Sequence, residues 1–197
     1  MVYDDSGQCI LFDPGCSDRK EREVLTDFLS QNQLQPVRLI NTHCHLDHIL
    51  GNAFVHEQFG LPLEAHRGEQ VVLQFGEQMS KAYGIPYDLS PDIERFIEDK
   101  ESLTFGQTRF EALYTPGHSP ASLSFFFPDD SFLIAGDVLF YNSIGRTDLP
   151  GGDYDTLIGS IKDRLFPLGD EVKVYPGHGT ATSIGYERLT NPFLTGK

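Results

Sequence analysis

Apolar runs of strand length that break into turns carrying histidine or aspartate recur four times, and no other feature restricts the possible folds of this chain as much. VRLIN (37–41) runs directly into THCHLDH (42–48). RFEALY (109–114) leads into TPGHS, SFLIAGD (131–137) ends on Asp137, and EVKVY (171–175) leads into PGHG. Glycine lets the backbone turn sharply after a strand, and the strand behind the turn holds the side chain rigidly. Five of the seven histidines (His43, His45, His48, His118 and His178), together with Asp47 and Asp137, can thus gather at one edge of the sheets. The H-x-H-x-D-H pattern at 43–48 would arise by chance about once in a thousand chains of this composition.

Imidazole and carboxylate are the usual ligands of zinc and similar first-row ions. This set is too large for one tetrahedral ion and suits two. Asp137 arrives alone on its own strand and is the natural bridging carboxylate. Two ions about 4 Å apart can share a hydroxide, polarise a carbonyl under attack and steady a leaving group, which is the chemistry of hydrolysis. Taken singly, His118 or His178 reads as an ordinary hydrogen-bonded histidine, and Asp137 as a turn cap. The four segments together favour metal. Cys44 lies between two ligand histidines in an extended stretch, so its side chain points away from the metals and packs behind them. His56 and His66 lack the strand-and-turn setting and read as ordinary.

The remaining segments interleave. QCILFD (8–13) reads as a strand ended by the DPG turn. Ser17 or Asp18 caps a helix with Val24, Leu25, Phe28 and Leu29 on one face. Gly51–Phe59 reads as helix and LPLEAH (61–66) as strand. Residues 67–100 read as helix, loop, helix, and Tyr154–Phe166 as an amphipathic helix. Strands dominate the second half, which points to two sheets covered by helices.

At 197 residues a single domain over 1–197 is expected. A net charge of −14 opposes a nucleic-acid partner. The densest basic cluster, RKER (19–22), is interleaved with acids and reads as a solvated helix face. No run is long enough to span a membrane, so no membrane partner is expected. MVYDDSGQ lacks a signal-peptide pattern. Three cysteines do not make a disulfide framework. A reducing, cytoplasmic setting follows as the expectation.

The succession DPG, THCHLDH, PGHS, GDVLF, PGHG resembles the metallo-β-lactamase-fold hydrolase superfamily over nearly the whole chain. The resemblance implies an αββα sandwich, two mixed β-sheets flanked by helices. It implies that His43, His45 and His118 hold one divalent ion, that Asp47, His48 and His178 hold a second, and that Asp137 bridges them. Zinc is expected, with iron or manganese as alternatives. Asp47 and His48 are also the catalytic candidates. GRTDLPGGD (145–153) and TSIGYERLTNPF (182–193) are similar to short glyoxalase II-like, hydroxyacylglutathione-hydrolase-like proteins. That likeness implies hydrolysis of a small-molecule thioester of the S-acylglutathione type by a metal-bridging hydroxide. Tyr141, Asn142, Arg146 and Thr147 follow Asp137 and are candidates for the substrate pocket. Arg146 either meets a substrate carboxylate as a bidentate partner or closes an internal salt bridge with Asp148, Asp153 or Asp155.

The chain also departs from that pattern. Larger glyoxalase II enzymes carry a C-terminal helical domain that helps bind glutathione, and none follows NPFLTGK here. Only MVYDDSG precedes the strand at 8–13, where the family usually opens with a strand or two. An exposed sheet edge and self-association are therefore expected. The alternative on the same fold is a mononuclear iron persulfide dioxygenase using His43, His118 and Asp137, suggested by NTHCH and GRTD. Lactonases, β-lactamases and nucleases, and from another class a non-catalytic binding protein, complete the field.

Overall fold

Short β-rich segments alternating with helices are the pattern of parallel strands joined by crossovers. The computed structural model describes residues 1–196. In the first half, β1 (Val2–Tyr3), β2 (Gln8–Phe12), β3 (Gln35–Ile40), β4 (Leu63–Ala65) and β5 (Ile93–Phe96) form one sheet in that order. β1 is antiparallel to β2, and the other neighbours are parallel. The segment ahead of β2 contributes the two-residue strand β1, which pairs Val2 with Ile10 and Tyr3 with Cys9. The helices between these strands are α1 (Arg19–Gln31), α2 (Leu46–Ile49), α3 (Asn52–Phe59), α4 (Gln70–Gln74) and α5 (Gly76–Tyr83). Leu11, Leu39, Ile49, Val55 and Leu63 form the core here, with Cys44 buried among them.

Two expectations need correction in this half. Leu29 of α1 is buried and Leu25 packs on the core, but Val24 is 69% exposed and Phe28 40% exposed. Each sits one residue, about 100°, around the helix from the buried pair. The second helix expected in 67–100 is instead strand β5. Its parallel pairing with β4, Leu63 opposite Ile93, buries Ile93 and overrides a weak, acidic helical pattern.

In the second half, β6 (Ser102–Phe105), β7 (Thr108–Tyr114), β8 (Leu123–Phe127) and β9 (Phe132–Gly136) are followed by the hairpin of β10 (Leu139–Phe140) and β11 (Ser143–Ile144). Next come α6 (Tyr154–Gly159), β12 (Lys173–Pro176), β13 (Thr182–Ser183), α7 (Ile184–Thr190) and α8 (Pro192–Thr195). The second sheet runs β13-β12-β9-β8-β7-β6. α6 begins at an Asp153 cap and continues as a wider π-helical turn over Ser160–Leu165. Leu157, Ile161 and Leu165 from this stretch are fully buried with Leu133, Val138 and Val174. The chain forms two compact units, Met1–Ile97 with Thr104–Thr108, and Glu98–Leu103 with Arg109 onward.

Candidate metal centre

Strand direction decides where the ligands emerge. In the first unit β2 and β3 are parallel and Phe12 pairs with Ile40, so Asp13 and the stretch Asn41–His43 leave the sheet side by side. The Asp13 amide donates to the Ile40 carbonyl at 3.0 Å. In the second unit β9 and β12 are parallel, and Pro176 pairs with Gly136. Asp137 and the loop bearing His178 therefore leave together, with the Gly177 amide donating to the Gly136 carbonyl at 2.8 Å. β7 is antiparallel to β8, which is antiparallel to β9. Two reversals restore the direction, so β7 delivers His118 at the same end as Asp137.

In the first unit His43 is fully buried, with its ring 4.8 Å from that of His45 and 4.0 Å from that of His48. Asp47 is exposed, its carboxylate 3.6 Å from Nε2 of the buried His48. Asp13, which sequence reasoning took only for a turn residue, organises this group. Its Oδ2 lies 3.1 Å from Nδ1 of His48 and accepts the Thr42 hydroxyl at 2.6 Å. Its Oδ1 accepts the Thr42 amide at 2.7 Å and the Asn41 side chain at 3.3 Å. Asp13, His43 and His48 each offer a ligand atom within 4.8 Å of the others. Four donors already fill the Asp13 carboxylate, so it orients the histidines instead of joining them as a ligand.

The proton count follows from these contacts. Facing a carboxylate, Nδ1 of His48 carries its proton, and Nε2 keeps its lone pair. The Thr42 hydroxyl spends its single proton on Asp13. At 3.1 Å from Nδ1 of His43 it must therefore accept, which fixes the same tautomer there. In the second unit Nδ1 of His118 lies 2.7 Å from the Arg146 carbonyl and donates to it, again leaving Nε2 for a metal. Nε2 of His118 and Nε2 of the exposed His178 each lie 3.6 Å from Oδ2 of Asp137. Neutral imidazoles oriented through Nδ1, together with carboxylates, are a donor set that fits divalent first-row ions.

Close approach explains two glycines of the second unit. A Cβ on Gly145 would lie 1.9 Å from the Asp137 carbonyl oxygen, and 3.1 Å from Cβ of His118. Gly117 has φ +125, and a Cβ there would meet the Leu157 backbone at 2.3 Å.

Of the pocket candidates, Tyr141 stacks on Tyr186 and Asn142 bonds to α7, while Thr147 is half-buried. Arg146 makes the internal salt bridge, to Asp148, with bonds of 2.7 and 2.8 Å. That pairing holds the Asp148 carboxyl at about 2. Cys44 packs behind the first group as expected. Burial, then the nearby Glu69 and Asp13, push its thiol well above the usual range, and its amide donates to Glu69 at 2.9 Å. His56 and His66 make local backbone contacts, to the Leu61 carbonyl and the Gly68 amide. Sequence reasoning passed over Asp13, Thr42 and Glu69. The first carried a readable signal, because Asp13 ends an apolar strand before a glycine turn, as the ligand segments do.

A family model of the metallo-beta-lactamase superfamily matches residues 1–178. The chain belongs to the metallo-β-lactamase superfamily. It has that fold, with mixed sheets flanked by helices, and is a metal-dependent hydrolase of that superfamily. The "Probable metallo-hydrolase YqgX" of Bacillus subtilis is 36% identical over 198 residues, covering 100% of this chain and 90% of the relative. The "Hydroxyacylglutathione hydrolase GloC" of Haemophilus influenzae is 33% identical over 204 residues, covering 100% and 92%. Among solved structures, the BLEG-1 B3 metallo-beta-lactamase matches with a TM-score of 0.89 at 38% identity, over 98% of this chain and 92% of that one. TTHA1623, solved in a di-iron-bound form, matches with a TM-score of 0.85 at 36% identity, over 94% and 89%. Among the described residues, no helix is long and apolar enough to cross a membrane.

Proposed function

We propose that this superfamily member is a binuclear, glyoxalase II-like thioesterase acting on S-acylglutathione-type thioesters. Its ligands are His43, His45 and His118 for one ion and Asp47, His48 and His178 for the other, with Asp137 shared. The observation that carries the reading is the Asp137 carboxylate oxygen, 3.6 Å from the Nε2 atoms of both His118 and His178. A carboxylate between two imidazoles that belong to different ions suits a bridge. The dioxygenase alternative uses His43, His118 and Asp137 and gives His178 no role there. The hydroxyacylglutathione hydrolase relative and the di-iron-bound neighbour support the thioester and the pair of ions.

When bound, such a pair of ions lowers the pKa of a shared water and polarises the carbonyl under attack. The chain's own residues do the rest. Asp13, Thr42 and the Arg146 carbonyl fix the proton on Nδ1 of their histidines. Asp47, exposed beside His48, takes the proton that water loses. The water oxygen adds to the thioester carbon, the C–S bond breaks, and the thiolate recovers the proton from Asp47. The products are one carboxylic acid and one thiol.

The test is hydrolysis of S-lactoylglutathione by metal-loaded protein, beside a chromogenic β-lactam because of the BLEG-1 likeness. Thioester cleavage that a chelator abolishes is expected, with kcat/KM at least about a hundredfold above that for the β-lactam. Cleavage of the β-lactam alone would reverse the assignment.

A further inference from the structure

Beyond Asp137 the second unit carries a built surface with no part in holding metal. Phe140 places its ring 6.5 Å from that of His178. The next residue, Tyr141, stacks on Tyr186 of α7 with centroids 5.2 Å apart and planes 11° from parallel. The two hydroxyls lie 3.1 Å apart, and the Asn142 side-chain amide donates to the Tyr186 hydroxyl at 3.3 Å. Despite the stack, Tyr141 is 50% exposed and Tyr186 39% exposed. Two large rings thus present flat apolar surface and hydrogen-bonding tips to solvent, close to a metal-ligand histidine.

The surface is held from behind. Glu187 is fully buried and accepts the Asn142 amide at 3.0 Å, the Thr182 hydroxyl at 2.5 Å and the Asn191 side chain at 2.8 Å. These bonds keep Asn142 at φ +53, a conformation uncommon for a residue with a side chain. The β10–β11 hairpin is thereby fastened to α7, and the tyrosines are ordered before any substrate arrives.

Charge narrows what the surface can take. Arg146 is the single cation between Asp137 and Asp153, and Asp148 closes its guanidinium with two bonds. Arg188 of α7 is turned to Asp170 and to the Phe166 carbonyl.

We propose that Tyr141, Tyr186 and Asn142 form the subsite for the arm of the leaving thiol, and that this subsite takes an uncharged amide instead of a carboxylate. The proposal rests on the thioesterase reading and adds the part of the thiol that is recognised. The planar amide lies along the tyrosine pair, and its carbonyl and N–H meet the hydroxyls and the Asn142 side chain.

The experiment compares three thioesters with the same lactoyl group on metal-loaded protein: of methanethiol, which has no arm, of N-acetylcysteamine, which has one neutral amide, and of glutathione. Tyr186→Ala is expected to raise KM about tenfold for the two amide-bearing thioesters, with kcat within about twofold, and to leave the methanethiol ester unchanged. Tyr186→Phe, which keeps the ring and loses the hydroxyl, should recover part of the loss. For the native protein, KM for the glutathione ester should move less than about twofold between about 20 and 300 mM salt. An equal effect of Tyr186→Ala on all three esters, or no effect, overturns the subsite. A severalfold rise of KM with salt overturns its neutral character. If the native, loaded protein cleaves none of the three, the thioesterase reading itself falls and the subsite with it.

Discussion

Three of the candidate ligand histidines, His43, His48 and His118, have Nδ1 occupied, and one carboxylate governs two of them. Asp13 meets His48 directly and His43 through the Thr42 hydroxyl. Asp13→Ala should therefore release both rings and weaken metal binding about 10–100-fold, read by competition with a chromogenic chelator. Unchanged affinity would mean that the two rings are held by packing alone. Gly145→Ala should be worse than its size suggests. The added methyl would overlap the Asp137 carbonyl at 1.9 Å and crowd His118. A loss of stability of about 2–4 kcal/mol is expected, with loss of bound metal, measured by denaturant unfolding and elemental analysis. The candidate ligands stand out in the sequence because each is a chemically distinctive residue in a repeated strand-and-turn setting. Their anchors were not. A threonine hydroxyl and the Arg146 carbonyl carry no sequence signature, and Asp13 was obscured by the Pro-Gly that follows it. For Arg146, the salt bridge to Asp148 could not be told from its order in the sequence, where Asp153 and Asp155 were equal candidates.

At the scale of elements, parallel pairing is what brings ligands to one end of each sheet. Apolar runs and glycine turns announced most of those strands. Pairing also explains β5, where Ile93 becomes a strand residue because β4 offers it a partner, something no local pattern of Glu and Asp reveals. The segment between α5 and β5 is anchored within the first unit, by Arg22 to Asp88 at 2.7 Å and by Asn52 to Ser90 at 2.9 Å. A second tie joins the β1–β2 turn to the β6–β7 turn. Desolvation would raise the Asp4 pKa, but bonds from the Ser6 hydroxyl, the Gln107 and Ser6 amides and the Thr108 hydroxyl outweigh it and hold it at about 2, against an ordinary 3.8. A carboxyl depressed in the folded state adds stability that is complete above the unfolded pKa and is lost as pH falls through the folded one. Asp4→Asn should thus lower Tm by about 1–3 °C near neutrality, with the difference shrinking below about pH 4 and vanishing only once the pH is well under about 2. A difference that does not shrink at all between about pH 4 and about pH 2 would show that the carboxylate charge is not the tie.

At the scale of the molecule, the proposed ligands are His43, His45, Asp47 and His48 of one compact unit and His118, Asp137 and His178 of the other. Ligands that bind only the folded chain stabilise it by mass action. Chelation should accordingly lower Tm by about 5–10 °C, taking free metal at about a hundred times its dissociation constant beforehand. An unchanged Tm would mean that bound metal adds nothing to the folded state. The superfamily was legible in the sequence because its motifs span nearly the whole chain, whereas the identity of the thiol depends on surface geometry that no motif encodes. The central claim, a pair of ions acting on a thioester, is tested most directly by the rate of S-lactoylglutathione hydrolysis as a function of metal bound per chain. The rate should climb until about two ions are bound and then level. A rate that levels at about one ion, or a chain that holds about two and leaves the thioester intact, would contradict it.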